Sequence, residues 1–276
     1  MRAFICNTCG TQYEPSEKAP PNCTICEDER QYVPGSGQSW TTLPSLQAKF
    51  CNGWREVEPN LFSIETLPKF GIGQRAWLVR TPSGNILWDC VALIDRATIE
   101  LINGLGGIKG IAISHPHYYT THVEWSQAFG GVPIHLHAAD SKWIMRKDPA
   151  LQIWEGQSKE LLPGAKLICI GGHYPGGTVL HWADGADGKG VLLPGDNVQV
   201  VSDNKSVSFM WSYPNLIPLS APSIEGIVKA LKPYKYERVH GAFAGRTIWS
   251  DGVGVVERSA ERYLRMIRGD GSYERR

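Results

Sequence analysis

Histidines set at the ends of apolar runs constrain this chain more than any other feature. The β-rich run Ile108-Lys109-Gly110-Ile111-Ala112-Ile113 leads at once into Ser114-His115-Pro116-His117-Tyr118-Tyr119-Thr120-Thr121-His122. Alternate residues of an extended segment point the same way, so His115 and His117 can reach one ion from the mouth of a sheet. Neutral imidazoles on a rigid strand end suit zinc, iron or copper. Gly172-His173, Pro194-Gly195-Asp196 and Val239-His240-Gly241 also stand where an expected strand gives way to a glycine-containing turn. His135-Leu136-His137 has the same spacing as the first pair but no such company. It reads as structural, with His137 facing the pocket.

Four cysteines lie near the amino terminus, in Cys6-Asn7-Thr8-Cys9-Gly10 and Cys23-Thr24-Ile25-Cys26. Paired CxxC knuckles let thiolates converge tetrahedrally on zinc or iron. The segment between them is too poor in apolar residues to fold unaided, and metal binding supplies the missing folding free energy. The module, expected over residues 1–35, resembles a zinc ribbon, and Cys9-Gly10 is also similar to rubredoxin. Structural zinc is expected there, with electron-transfer iron (Fe) as the alternative.

The histidine motifs carry a second resemblance. Ser114-His115-Pro116-His117-Tyr118-Tyr119-Thr120, Gly171-Gly172-His173-Tyr174-Pro175-Gly176-Gly177, Leu192-Leu193-Pro194-Gly195-Asp196 and His240-Gly241 resemble, in order and context, the motifs of the metallo-β-lactamase fold superfamily. The similar region runs from about Asn60 to the carboxyl-terminal helix. The resemblance implies an α+β fold, a four-layer αββα sandwich, expected over residues 39–276. It implies a His115, His117 and His173 tripod for one divalent ion, with Asp196 as fourth ligand or as holder of the water. Such a site hydrolyses an ester, lactone, thioester or amide.

One departure matters. The superfamily's first motif reads His-x-His-x-Asp-His, and this chain has Tyr119 and Thr120 where the Asp and the second-site His belong. A single zinc ion is therefore expected in the histidine site. His240 is left to hydrogen-bond Asp196, a substrate or the water. Tyr119 either presents its hydroxyl as proton donor or oxyanion partner, or fills the vacated space. His122 lies two positions too late, about 200° around a helix, and is expected to face away. Asp89 stands where the superfamily has a buried Asp that supports the metal loops, and Cys90 reads as an inert buried thiol.

The net charge of +1 over 276 residues gives no general pull toward nucleic acid or anionic membrane. No apolar run is long enough to cross a membrane, and the start has no signal-peptide hydrophobic region. Seven cysteines is an odd number, against a closed disulfide framework. A cytoplasmic enzyme acting on a small molecule is expected, with oligomer formation open. Two other readings stand beside it: an iron oxidoreductase fed by the cysteine site, and a non-enzymatic descendant acting through partner binding.

Among the remaining elements, Trp40, Leu43, Leu46, Phe50 and Trp54 predict a bridging helix within Ser39 to Asn60, with Cys51 buried in it. Hairpin strands are expected at Leu61–Glu65, Arg75–Arg80 and Asn85–Cys90, and helices at Asp95–Leu105 and Thr121–Phe129. Asp184 to Gly190 reads as a hairpin turn in preference to a calcium loop. A strand is expected at Ser206–Trp211, a capped helix after Ser220, and a closing amphipathic helix marked by Val256, Ala260, Tyr263, Leu264 and Ile267.

Overall fold

The computed structural model describes residues 1–269, so the last seven positions of the expected 39–276 domain lie outside the described residues. The chain divides into two compact units, Met1–Glu155 and Gly156–Arg276.

In the first unit, β1 (Phe4–Cys6) pairs antiparallel with β2 (Trp40–Thr42), and the one-turn helix α1 (Thr24–Glu27) carries the second cysteine knuckle. A short helix, α2 (Leu43–Gln47), leads into a seven-stranded sheet. Its strands are β3 (Cys51–Glu58), β4 (Leu61–Leu67), β5 (Arg75–Thr81), β6 (Gly84–Trp88), β7 (Gly110–Ala112), β8 (Ile134–His137) and β9 (Leu151–Trp154), in that spatial order. β3 to β6 form an antiparallel meander. From β6 to β9 the pairing is parallel, with α3 (Arg96–Gly104) and α4 (His122–Ala128) in the crossovers. Ala76 to Val79 and Ile86 to Trp88 are buried without alternation, as strands covered on both faces require. Asp95 caps α3 by accepting the Thr98 amide.

The helix expected across residues 39–60 does not form as one piece. Thr41 and Thr42 pair with Ile5 and Phe4, and Pro44 opens a helix of five residues. Cys51 to Glu58 then finds a full-length partner in β4, from Cys51 opposite Leu67 to Glu58 opposite Leu61. Cross-strand pairing outweighs the apolar spacing. Asn52 ties the strand to its surroundings through Leu93 O, Thr98 Oγ1 and Thr66 Oγ1. Cys51, expected to be buried, is exposed.

The second unit is built on a six-stranded sheet, β10 (Ser158–Leu162), β11 (Ala165–Cys169), β12 (Thr178–Trp182), β13 (Val191–Leu193), β18 (Arg238–His240) and β19 (Thr247–Ile248). The turn joining antiparallel β12 and β13 is a short helix, α5 (Gly185–Gly188), with Ala186 and Asp187 left-handed, in keeping with the hairpin reading. Two small ribbons follow, β14 (Gln199–Val200) with β15 (Val207–Ser208), and β16 (Met210–Ser212) with β17 (Ile217–Pro218). The single strand expected at Ser206–Trp211 is thus split between two partners. α6 (Ala221–Leu231) crosses from β13 to the parallel β18 (Arg238–His240), beside β19 (Thr247–Ile248), and α7 (Gly252–Arg268) closes the described chain. Ser220 starts α6 without a side-chain cap bond; its hydroxyl meets Ser223 instead. Ile224, Ile227 and Leu231 of α6 and Val255, Val256 and Ala260 of α7 share one core with Ile168, Val179, Leu192 and Val239 of the sheet. Ile267, expected on the inner face of α7, is exposed. Among the described residues no helix is long and apolar enough to cross a membrane.

Candidate metal centres

Asp89 follows β6 in a left-handed conformation, φ 59°. Its amide donates to Ala112 O at 2.9 Å, and its Oδ1 accepts from the Ser114 amide at 2.7 Å. The chain is thereby pinned just past the end of β7, where the histidine turn begins, which is the bracing expected of Asp89. His115 is extended and Pro116–Tyr118 forms a single 3₁₀ turn, leaving the rings of His115 and His117 5.2 Å apart. Both are buried, and Ser114 Oγ lies 2.9 Å from His115 Nδ1.

In the second unit, Gly171 and Gly172 are both left-handed. Gly172, at φ 87°, sits in the left-handed region that favours glycine, and a Cβ there would stand 2.8 Å from Ile227 Cδ1. His173 is fully buried and its Nδ1 meets the Met210 carbonyl at 3.1 Å. A carbonyl can only accept, so Nδ1 carries the proton and a neutral ring keeps its Nε2 lone pair for a metal. Asp196 follows β13 on a loop held from two sides. Asn197 Nδ2 donates to Thr178 O and Pro194 O, and Tyr213 Oη donates to the Asp196 carbonyl at 2.7 Å. Burial, and next the Asp196 charge, hold the Tyr213 hydroxyl well above its ordinary pKa, so it stays a donor.

One ligand atom from each of His115, His117, His173 and Asp196 lies within 4.8 Å of every other, and all four residues are buried. Three imidazole nitrogens and a carboxylate oxygen are a donor set that fits a divalent ion such as zinc. His240 and Tyr119 are not part of this group. His240 is buried with its Nδ1 3.1 Å from Thr247 Oγ1. Tyr119 is buried at the end of the 3₁₀ turn, its ring 6.0 Å from that of His122. His122 is turned to two carbonyls, Nδ1 to Tyr119 O and Nε2 to Arg146 O. Burial lowers its pKa to about 4. His137 accepts from the Ala139 amide and sets its ring edge-on to Trp154, a structural role. Cys90 is buried and its thiol is pushed well above its ordinary pKa by desolvation, in line with an inert thiol.

Cys6, Cys9, Cys23 and Cys26 form a second group of the same tightness, all buried. Cys6 and Cys26 Sγ are 3.7 Å apart, Cys9 and Cys23 Sγ 3.6 Å. Hydrogen bonds from Cys23 and Cys26 hold the Cys6 thiol far below its ordinary pKa, while burial holds Cys9 far above. Gln38 Nε2 and Tyr13 Oη approach Cys6 and Cys23 at 3.1 and 3.5 Å, donors suited to thiolates.

Tyr213, Asn197, Ser114 and Thr247 escape the sequence reading. Each acts through one hydroxyl or amide, Ser114 and Asn197 from the position beside His115 and Asp196, Tyr213 and Thr247 from further along the chain, and no spacing announces such a contact.

No family model matches the sequence. Among solved structures, the DIM-1 metallo-β-lactamase superposes with a TM-score of 0.57 at 16% identity, over 78% of this chain and 100% of its own. The metallo-β-lactamase FIM-1 from Pseudomonas aeruginosa in its mono-zinc form gives 0.55 at 13% identity, over 77% and 96%. This chain therefore has the metallo-β-lactamase fold, together with an amino-terminal four-cysteine group. In sequence it is 45% identical over 272 residues to the uncharacterized protein YmaE of Bacillus subtilis (strain 168), covering 98% of each chain. The chain belongs to the YmaE family.

Proposed function

We propose that this protein is a mononuclear metal-dependent hydrolase of an ester, lactone, thioester or amide. The observation that carries the reading is the convergence of His115, His117, His173 and Asp196 ligand atoms within 4.8 Å, on a fold shared with metallo-β-lactamases. When bound, the ion supplies Lewis acidity toward a substrate carbonyl and toward water. His115, His117 and His173 hold it as neutral donors, and the Met210 carbonyl keeps the His173 ring in the tautomer this needs. Asp196 supplies the anionic oxygen, either as the fourth ligand or as acceptor of a proton from water, on a loop fixed by Tyr213 and Asn197. His240, its Nδ1 beside Thr247 Oγ1, is assigned to hydrogen-bond Asp196 or substrate, and Tyr119 to donate to a developing oxyanion.

With Tyr119 and Thr120 in place of Asp and His, a second ion in the histidine region lacks ligands, so one ion is assigned there. Cys6, Cys9, Cys23 and Cys26 hold a structural zinc, and a cytoplasmic protein with a small-molecule substrate is proposed. Elemental analysis of the purified chain, with a screen of esters, lactones and thioesters against a His115→Ala control, tests this. Zinc in both groups and turnover lost in the control are expected. A visibly coloured iron protein would replace the reading with electron transfer, and turnover equal in the control would sink it.

A further inference from the structure

The Tyr119-Thr120 departure coincides with an unusual backbone. Thr120 is buried and left-handed, φ 39°, a conformation costly for a β-branched residue that persists only where its surroundings impose it. It stands three residues after His117. Its carbonyl accepts from the Gln12 amide at 3.1 Å. Gly10, left-handed in the first cysteine knuckle, lies against it: a Cβ there would be 3.5 Å from Thr120 Cγ2 and 3.2 Å from Ala92 Cβ. Next along, Thr121 Oγ1 donates to Ala92 O at 3.0 Å.

The Gln12 side chain extends the same hold. Its Nε2 donates to Glu124 Oε1 at 3.1 Å, its Oε1 accepts from Arg146, and Arg146 pairs with Glu124 at 2.6 Å. His122 lies between the Tyr119 and Arg146 carbonyls, its neutral ring donating to one of them. The segment that does the holding is itself fixed by the cysteine group. The Gly10 amide donates to Cys6 O and the Cys6 amide to Thr11 O, while Tyr13 Oη reaches Cys23 Sγ and accepts from the Thr24 amide at 2.7 Å.

We propose that the cysteine knuckle is a positioning device for the histidine-bearing turn, so that metal on the four thiolates tightens ion binding at His115 and His117. Gln12 is its positioning residue. The inference rests on reading the histidine group as a metal centre. Releasing the thiolate metal, by chelation or by replacing one cysteine, frees residues 10–14, lets Thr120 relax out of its left-handed conformation, and shifts the turn that presents the two histidines.

Cobalt(II) titration of the full chain reads the two groups separately, because only thiolate ligands give sulfur-to-metal charge-transfer absorption. Cys23→Ser, which leaves three thiolates, is expected to diminish that absorption and to weaken cobalt binding at the histidine group about tenfold, the scale of one strained residue. Thr120→Gly removes the conformational penalty, so adding it to Cys23→Ser is expected to recover most of the loss. Gln12→Ala, which leaves every thiol in place, is expected to act in the same direction and to be rescued in the same way. A folded Cys23→Ser with unchanged histidine-group affinity, or a loss that Thr120→Gly does not reverse, overturns the proposal. Should Cys23→Ser fail to fold, Gln12→Ala with and without Thr120→Gly decides by the same criterion. Wild-type protein that binds cobalt only through thiolates overturns the metal-centre reading itself; binding at both groups with unmoved variants overturns the coupling alone.

Discussion

Tyr213→Phe removes one hydroxyl and leaves the Asp196 carbonyl buried without that donor. The expected cost is about 1 kcal/mol of stability, read as a lower denaturant midpoint, with slower turnover and unchanged metal content. Loss of the ion together with the hydroxyl would contradict the positioning role. His122 makes a prediction in pH. Burial lowers its pKa from an ordinary 6.5 to about 4, so between those values the unfolded chain binds more protons than the folded one. Stability contributed by His122 is complete above about 6.5 and is lost as pH falls toward 4. A shift of this size corresponds to roughly 3 kcal/mol at most. His122→Gln should flatten the fall in unfolding free energy between pH 7 and pH 5 relative to wild type; an identical slope would show that His122 does not drive it. At this scale the buried group of His115, His117, His173 and Asp196 was legible, because these residues sit in motifs whose order survives in the chain. The residues that orient them were not. A hydroxyl donating to a carbonyl, as Tyr213 does, leaves no period or composition to read.

Among the elements, strands with buried, unalternating sequences (β5 and β6) matched their apolar runs, and α3, α4, α6 and α7 matched their helical spacing. The stretch from Trp40 to Glu58 did not, because its aromatic and leucine positions fit a helix while its partners are strands, Phe4 to Cys6 far back along the chain and Leu61 to Leu67 just past a tight turn. Pairing of that kind is decided by tertiary context. β1 and α2 meet in a small core of Ile5, Leu46, Ala92 and Leu93, all buried. Leu46→Ala, which touches neither metal group, is expected to cost about 2–5 kcal/mol by leaving a cavity there. A thermal melt within the error of wild type would mean that this contact does not anchor the amino-terminal segment.

For the whole molecule, two groups able to hold metal would make stability a function of metal supply. Binding to the folded chain alone stabilises it by mass action, so a strong chelator is expected to lower the unfolding temperature in two resolvable steps as the groups empty. Zinc added back should restore both, and a melt insensitive to chelator would show that neither ion supports the fold. The two compact units themselves were not visible in the sequence. No linker composition marks Glu155 and Gly156, and the Pro34-Gly35-Ser36-Gly37 stretch that does look like a linker falls inside the first unit.

Ile5 and the β1–β2 pair carry a practical meaning for anyone handling this gene product. Shortening the polypeptide to begin at Ser39 would bare Leu46, Ala92 and Leu93 to water and leave the Trp40–Thr42 backbone with open hydrogen-bonding groups. Greasy patches next to an unpaired β edge recruit neighbouring molecules. The trimmed product should precipitate, for want of a lid its first six residues supply.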